Sequence, residues 1–217
     1  MRPMIVLLAL AAPVIAAAQG PANRLTADEK KEGYILLFNG KDLEGWDGNP
    51  ALWSVKDGMI AGSTEGHPIT HNTFLIGKKE YSNFILQADI RLRNHNSGIQ
   101  FRSVSLPEWV MTGYQADASD MEEKSGWGNL YEEKGRGRKL MKTQDEGWQK
   151  AKAVVRTGDW NHYEILAQGN HLQLKLNGVV TIDLHDDKAA TGFIGFQLHM
   201  GPPMEVFFRN VKLKPLP

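Results

Sequence analysis

Phe84, Leu86, Ala88, Ile90 and Leu92 alternate with Ile85, Gln87, Asp89 and Arg91. A period of two sets the first row of side chains into a core and turns Asp89 to the opposite face of a strand. The same rhythm returns later in the chain. Tyr163, Ile165 and Ala167 precede Gly169-Asn170, then Leu172, Leu174 and Leu176 precede Asn177-Gly178, and an apolar run over 179–184 follows. Three such runs joined by tight turns predict an antiparallel meander. Residues 53–56 and 59–61 flank Asp57-Gly58, a dipeptide that tolerates positive φ in a two-residue hairpin. Apolar runs at 34–38, 193–199 and 206–213 add strands, and 26–31 reads as a short helix within a polar tether, 19–32. No long stripe of period 3.6 occurs, so the pattern predicts an all-β sandwich or barrel.

One stretch breaks the rhythm. Residues 106–150 carry Trp109, Trp127 and Trp148 among charges and glycines, with little alternation. Long irregular insertions in compact domains are usually functional or disordered, and disordered segments are poor in aromatics. The expectation is a set of loops folded over one face of a sheet.

The first residues change the picture of where the domain works. Met1-Arg2-Pro3-Met4 leads into an apolar run over 5–18 that closes on Ala16-Ala17-Ala18. A short basic start, an apolar stretch and a small-residue end describe a secretory signal cleaved near Ala18. The run is shorter than the roughly 20 residues a bilayer span requires, so no membrane span is expected after cleavage. The expected organisation is therefore a signal peptide at 1–18, a tether at 19–32 and one all-β domain at 33–217, periplasmic or secreted. The chain has no cysteine, which excludes disulfides and a thiol nucleophile. Lys plus Arg and Asp plus Glu both number 25, so no net field favours nucleic acid or an anionic membrane. A small uncharged ligand is the easier expectation.

Within the strands, polar residues cluster on one side. In Gly98-Ile99-Gln100-Phe101-Arg102, Gln100 and Arg102 share a face; Gln115 and Asp117 repeat the device, and so do Gln197 and His199. If these strands are neighbours, the six side chains form a polar floor for a ligand. A solvated outer sheet face is the plain alternative, but amides and a histidine stand where lysine and glutamate are usual. His199 titrates near neutral pH and suits proton transfer, with Asp117 as its orienting partner. Tyr131, Glu133 and Arg136 fall in the glycine-rich stretch after Asn129, placed to close over a ligand. That stretch fits neither a phosphate-binding loop nor a dinucleotide fingerprint. His67, His71 and His95 lack zinc-ligand spacing; no cofactor is indicated, and a divalent metal is left open. The carboxylate pair of an ordinary glycosidase, on alternate residues of one strand, is absent: Asp117, Asp120 and Glu122 cluster without that spacing.

Several segments together resemble one family, the 3-keto-disaccharide hydrolases. The resemblance rests on Leu37-Phe38-Asn39-Gly40-Lys41-Asp42-Leu43 with Gly45-Trp46, on 96–102, on Gly113-Tyr114-Gln115-Ala116-Asp117, on Leu130-Tyr131-Glu132-Glu133, and on 195–204 with Phe208-Arg209-Asn210-Val211. Lys134 stands where the family pattern has arginine. The resemblance implies a concanavalin-like jelly roll of two antiparallel sheets, and cleavage of glycosides whose sugar is oxidised at its third carbon. A ketone acidifies the adjacent C–H, so one base can remove that proton and the glycosidic oxygen can leave, with no carboxylate pair needed. In that scheme His199 or Asp117 is the base, Arg102 and Gln115 hold the enolate oxygen, and Glu133 protonates the leaving group. Glu65 and Asp89 bind hydroxyls, and Trp109 and Trp127 stack on sugar faces. The rival readings are a non-catalytic, lectin-like carbohydrate-binding module and an envelope interaction domain.

Overall fold

The computed structural model describes residues 22–120 and 126–217; the expected signal peptide, the start of the tether and Glu122 lie outside the described residues. Thr26 caps α1 (Ala27–Lys31), its hydroxyl accepting from the Glu29 amide while the Glu29 carboxylate accepts from the Thr26 amide. Then come β1 (Ile35–Leu36), β2 (Trp46–Asp47), β3 (Trp53–Lys56) and β4 (Met59–Ser63), the last two hinged at Asp57-Gly58 with positive φ at both residues. β5 (Thr73–Tyr81), β6 (Phe84–Leu92), β7 (Asn96–Leu106), β8 (Val110–Ser119) and β9 (Leu130–Glu133) follow. A 3-10 turn at Gly137–Leu140 and α2 (Glu146–Ala151) lead into β10 (Asn161–Gln168), β11 (His171–Leu176), β12 (Val179–His185), β13 (Gly192–Leu198) and β14 (Glu205–Pro215).

The strands form two antiparallel sheets. One runs β12-β11-β10-β6-β14-β4-β3, with β1 also on β14; the other runs β2-β5-β13-β7-β8-β9. The expected meander is β10-β11-β12, closed by turns at Gly169 and Asn177-Gly178 with positive φ. Even-numbered residues of β6, from Phe84 to Leu92, pack against Ile99, Phe101, Tyr114, Ala116 and Phe196 of the facing sheet in one continuous core. Burying each Leu, Ile or Phe among them gains about 1.5–3 kcal/mol, and each Ala less. The architecture is a jelly-roll sandwich. Among the described residues no helix is long and apolar enough to cross a membrane.

The irregular stretch behaves differently from the expectation. It does not lie wholly over a sheet face: 130–133 joins the second sheet as its edge strand, and α2 packs against β12 at the end of the sandwich. Trp127 is fully buried in the core and stacks on Tyr163. The approach is held close by glycine: a Cβ on Gly147 would lie 2.0 Å from the Gly128 carbonyl oxygen. Core burial of Trp127 therefore decided where this segment goes.

Candidate active site

The order β13-β7-β8-β9 makes neighbours of the strands that carry the polar pairs. Core-facing Ile99, Phe101, Ala116 and Phe196 fix the register, so Gln100, Gln115, Asp117 and Gln197 turn to the other face. Gln115 pairs with Tyr131, which brings Tyr131 and Glu133 alongside. The result is a cleft of about 220 Å³ lined by Asn72, Asn96, Gln115, Asp117, Ser119, Tyr131, Glu133, Arg138, Gln197 and His199.

A chain of amides runs beneath it. Gln100 Nε2 donates to Gln115 Oε1 at 3.0 Å; Gln115 Nε2 donates to Asp117 Oδ1 at 2.9 Å and to Gln197 Oε1 at 3.3 Å. Gln197 Nε2 then donates to Glu133 Oε2 at 3.2 Å, and Asn72 Nδ2 reaches Glu133 Oε1 at 3.3 Å. Each amide has its oxygen and nitrogen assigned by its neighbour, so both carboxylates are held in one orientation. Gly98 leaves the space this needs, since a Cβ there would sit 2.6 Å from the Gln115 side chain.

The cleft raises the proton affinity of its acids. Burial pushes Asp117 up to about 6, against bonds from Gln115 and Arg138, and the nearby Glu133 charge adds to the rise. Arg138 Nη2 reaches Asp117 Oδ2 at 3.3 Å. Burial also raises Glu133 above the ordinary glutamate value, opposed by Asn72, Lys134 and Gln197. Desolvation lowers His199, helped by His95 and opposed by the Met200 carbonyl. That carbonyl lies 2.6 Å from His199 Nδ1, and a carbonyl only accepts, so Nδ1 carries the proton. In neutral His199 the lone pair is consequently on Nε2. Among the described residues, the buried acceptor Asn96 Oδ1 in this cleft has no hydrogen-bond partner, and neither does Asp120 Oδ2 outside it.

Six of the residues singled out in the sequence line this cleft: Asp117, Glu133, Gln115, Tyr131, Gln197 and His199. Gln100 lies one layer below, bonded to Gln115 and accepting from Ser103. Asp117 does not orient His199; its partners are Gln115 and Arg138, and the imidazole rests on Met200.

Other expected placements are corrected. Arg102 is 1% exposed with φ +46°, because β7 and β8 slip register after Phe101, and its guanidinium ties down the carbonyls of Ser82, Gly169 and Ala189 and the Asn83 side chain. Asp89 is buried on the other sheet under His162, Arg209 and Asn210, whose bonds outweigh burial and hold it below the usual aspartate range. Arg136 turns away to Glu132 and Asp186. Trp127 is core, its indole donating to Asp120. Glu65 is exposed in a turn, its amide on Ser63 Oγ. Trp109 lines a neighbouring hollow instead. The sequence reading missed Asn72, Asn96, Ser119 and Arg138. Three of these had a signal: Asn96 opens the 96–102 segment, Ser119 continues the alternation of Gln115 and Asp117, and Arg138 lies two residues beyond Arg136. Among the described residues no group of three His, Asp or Glu is placed to hold a metal.

The sandwich carries, on the outer face of its second sheet, a cleft of buried amides and carboxylates. A provisionally assigned glycosyl hydrolase from Parabacteroides distasonis is 27% identical, with a TM-score of 0.68, covering 91% of this chain and all of that one. A second from the same organism, at 24% identity and TM-score 0.60 over 84% of this chain and 99% of its own, shares the fold. So does a carbohydrate-binding module from Bacillus subtilis, at 18% and 0.51 over 77% and 94%. No curated protein matches the sequence. Residues 33–214 match the 3-keto-alpha-glucoside-1,2-lyase-like domain, and the chain belongs to that family. Its function is carbohydrate-related.

Proposed function

We propose that the protein cleaves glycosides whose sugar carries a ketone at carbon 3. His199 Nε2 takes the proton from carbon 2, and the electron pair moves onto the carbon 3 oxygen as an enolate. Arg138 takes the place first given to Arg102, its positive charge facing that oxygen. The enolate then collapses, the bond from carbon 1 to the glycosidic oxygen breaks, and Glu133 gives its proton to the departing oxygen. Adding water across the resulting double bond returns the free keto sugar. Burial suits Glu133 to this part, because it keeps a proton to higher pH than a surface glutamate. Asn96 Oδ1, without a hydrogen-bond partner among the described residues, accepts a substrate hydroxyl. The observation that carries the reading is the Nδ1–Met200 bond, which leaves Nε2 as the basic atom beside two held carboxylates. The apolar run at 5–18 further supports action outside the cytoplasm, which cell fractionation tests.

The experiment incubates the protein with 3-keto-trehalose and, separately, with trehalose, following released glucose and enone by mass spectrometry. Release from the keto sugar alone, lost in His199→Ala, is expected. Saturable binding of sugar without release from either would replace this reading with a lectin-like one.

A further inference from the structure

Asn72 lies just before β5, and the β5–β13 register, which pairs Thr73 with Leu198, carries on to set it beside His199. Its amide works in two directions. Asn72 Oδ1 accepts from the Met200 amide at 3.0 Å, and Asn72 Nδ2 donates to Glu133 Oε1 at 3.3 Å. The Met200 carbonyl in turn accepts from His199 Nδ1 at 2.6 Å and from His95 Nε2 at 3.1 Å. The side chain of Met200 is 48% exposed, so burial does not fix this turn. Hydrogen bonds to the Met200 backbone do, and Asn72 supplies the one on its N–H.

The same amide decides where a proton on Glu133 points. Both Glu133 oxygens face amide nitrogens, Oε1 that of Asn72 and Oε2 that of Gln197. An amide N–H only donates, and the oxygens of the two amides are taken up by Met200 and Gln115. A protonated Glu133 therefore offers its O–H to the cleft.

We infer that Asn72 is a positioning residue that fixes the proton-accepting imidazole of His199 through the Met200 backbone and the proton-donating carboxyl of Glu133 directly, so that base and acid face the cleft as one unit. The inference rests on the function proposed above. The other charged or titratable groups around the two are Asp117 on β8, Tyr131 on β9 with Lys134 after it, Arg138 beyond them and His95 before β7. His71, next to Asn72 in the chain, lines a separate hollow.

The test records kcat/KM against pH on 3-keto-trehalose for the wild type, Asn72→Ala and Asn72→Asp, and follows the Glu133 carboxyl and the His199 ring in the same proteins by NMR titration. Asn72→Ala removes a bond that favours ionised Glu133, so the alkaline limb should move to higher pH. It also loosens the carbonyl that favours charged His199, so the acid limb should move to lower pH. The rate between the limbs should fall roughly 10- to 100-fold, as misplaced reacting groups cost. Asn72→Asp keeps the acceptor for Met200 but adds a negative charge beside both groups, so both limbs should move to higher pH while the rate falls. That variant keeps the size of the side chain and carries the test if Asn72→Ala does not fold, which circular dichroism establishes. A rate loss with both limbs and both titrations unmoved makes Asn72 merely structural and overturns the inference. If the wild type leaves the keto sugar intact, the proposed function fails and the titrations alone decide: shifts of both groups support the coupling, and no shift removes it.

Discussion

At the scale of single residues, the cleft trades stability for chemistry. Asp117 is 3% exposed and its pKa stands at about 6 against an ordinary 3.8. Between those values the folded state binds a proton that the unfolded chain has released, so stability falls as pH rises through that window. The ionised form costs up to about 3 kcal/mol at pH 7. Asp117→Asn should therefore be more stable than the wild type at pH 7, with the difference closing below pH 3.8, as thermal melts at the two pH values would show. Its turnover should fall, because the relay through Gln115 ends on an amide. For His199, desolvation lowers the pKa, so, alongside the alkaline limb that ionisation of Glu133 sets, kcat/KM should show an acid limb below 6.5 where the ring takes a proton. His199→Ala should remove that limb and cost on the order of 10²–10⁴ in rate. The types of these side chains were legible from the alternation in their strands. Their partners were not, since Asp117 and Arg138 are joined across an irregular loop and His199 rests on a carbonyl.

At the scale of elements, register carries the site. Gly98 sits opposite Asp117, and the room it leaves is filled by the Gln115 side chain. Gly98→Ala should push Gln115 away from Asp117 and Gln197, destabilise the fold by about 1–3 kcal/mol, and reduce activity more than stability alone accounts for. Urea melts alongside initial rates at saturating substrate would separate the two effects. β6 and the β10-β11-β12 meander follow directly from period two and their turn dipeptides. Three elements left no such trace. β9 is four residues at a sheet edge, α2 is held by a glycine-to-glycine contact, and β5 passes from buried to exposed along its length. Short or half-exposed segments owe their form to what they pack against, and local pattern does not contain that information.

At the scale of the molecule, charge is used to tie loops together as well as to bind. Arg102, chosen from the sequence as a substrate ligand, closes one end of the sandwich by donating to four acceptors from three separate loops. Arg102→Met should cost roughly 3–5 kcal/mol, because those acceptors lose a charged donor in a buried setting. The melting temperature should drop by about 10 °C, while sugar binding by the folded protein persists; calorimetry in both modes checks this. On the opposite sheet, the Asp89 cluster with His162, Arg209 and Asn210 does similar work far from the cleft. By itself, the sequence determined the all-β class, the meander and which strand faces are polar, because those follow from a period of two and from turn stereochemistry. Tertiary structure alone decided which polar residues meet. A slip of register buried Arg102, the two-sheet order sent Asp89 to the far side, core packing claimed Trp127, and Trp109 packed on Phe74, Ile76 and Met111 away from the cleft lining. Alternation tells which face a side chain leaves by, and only the packed sheets decide what waits there.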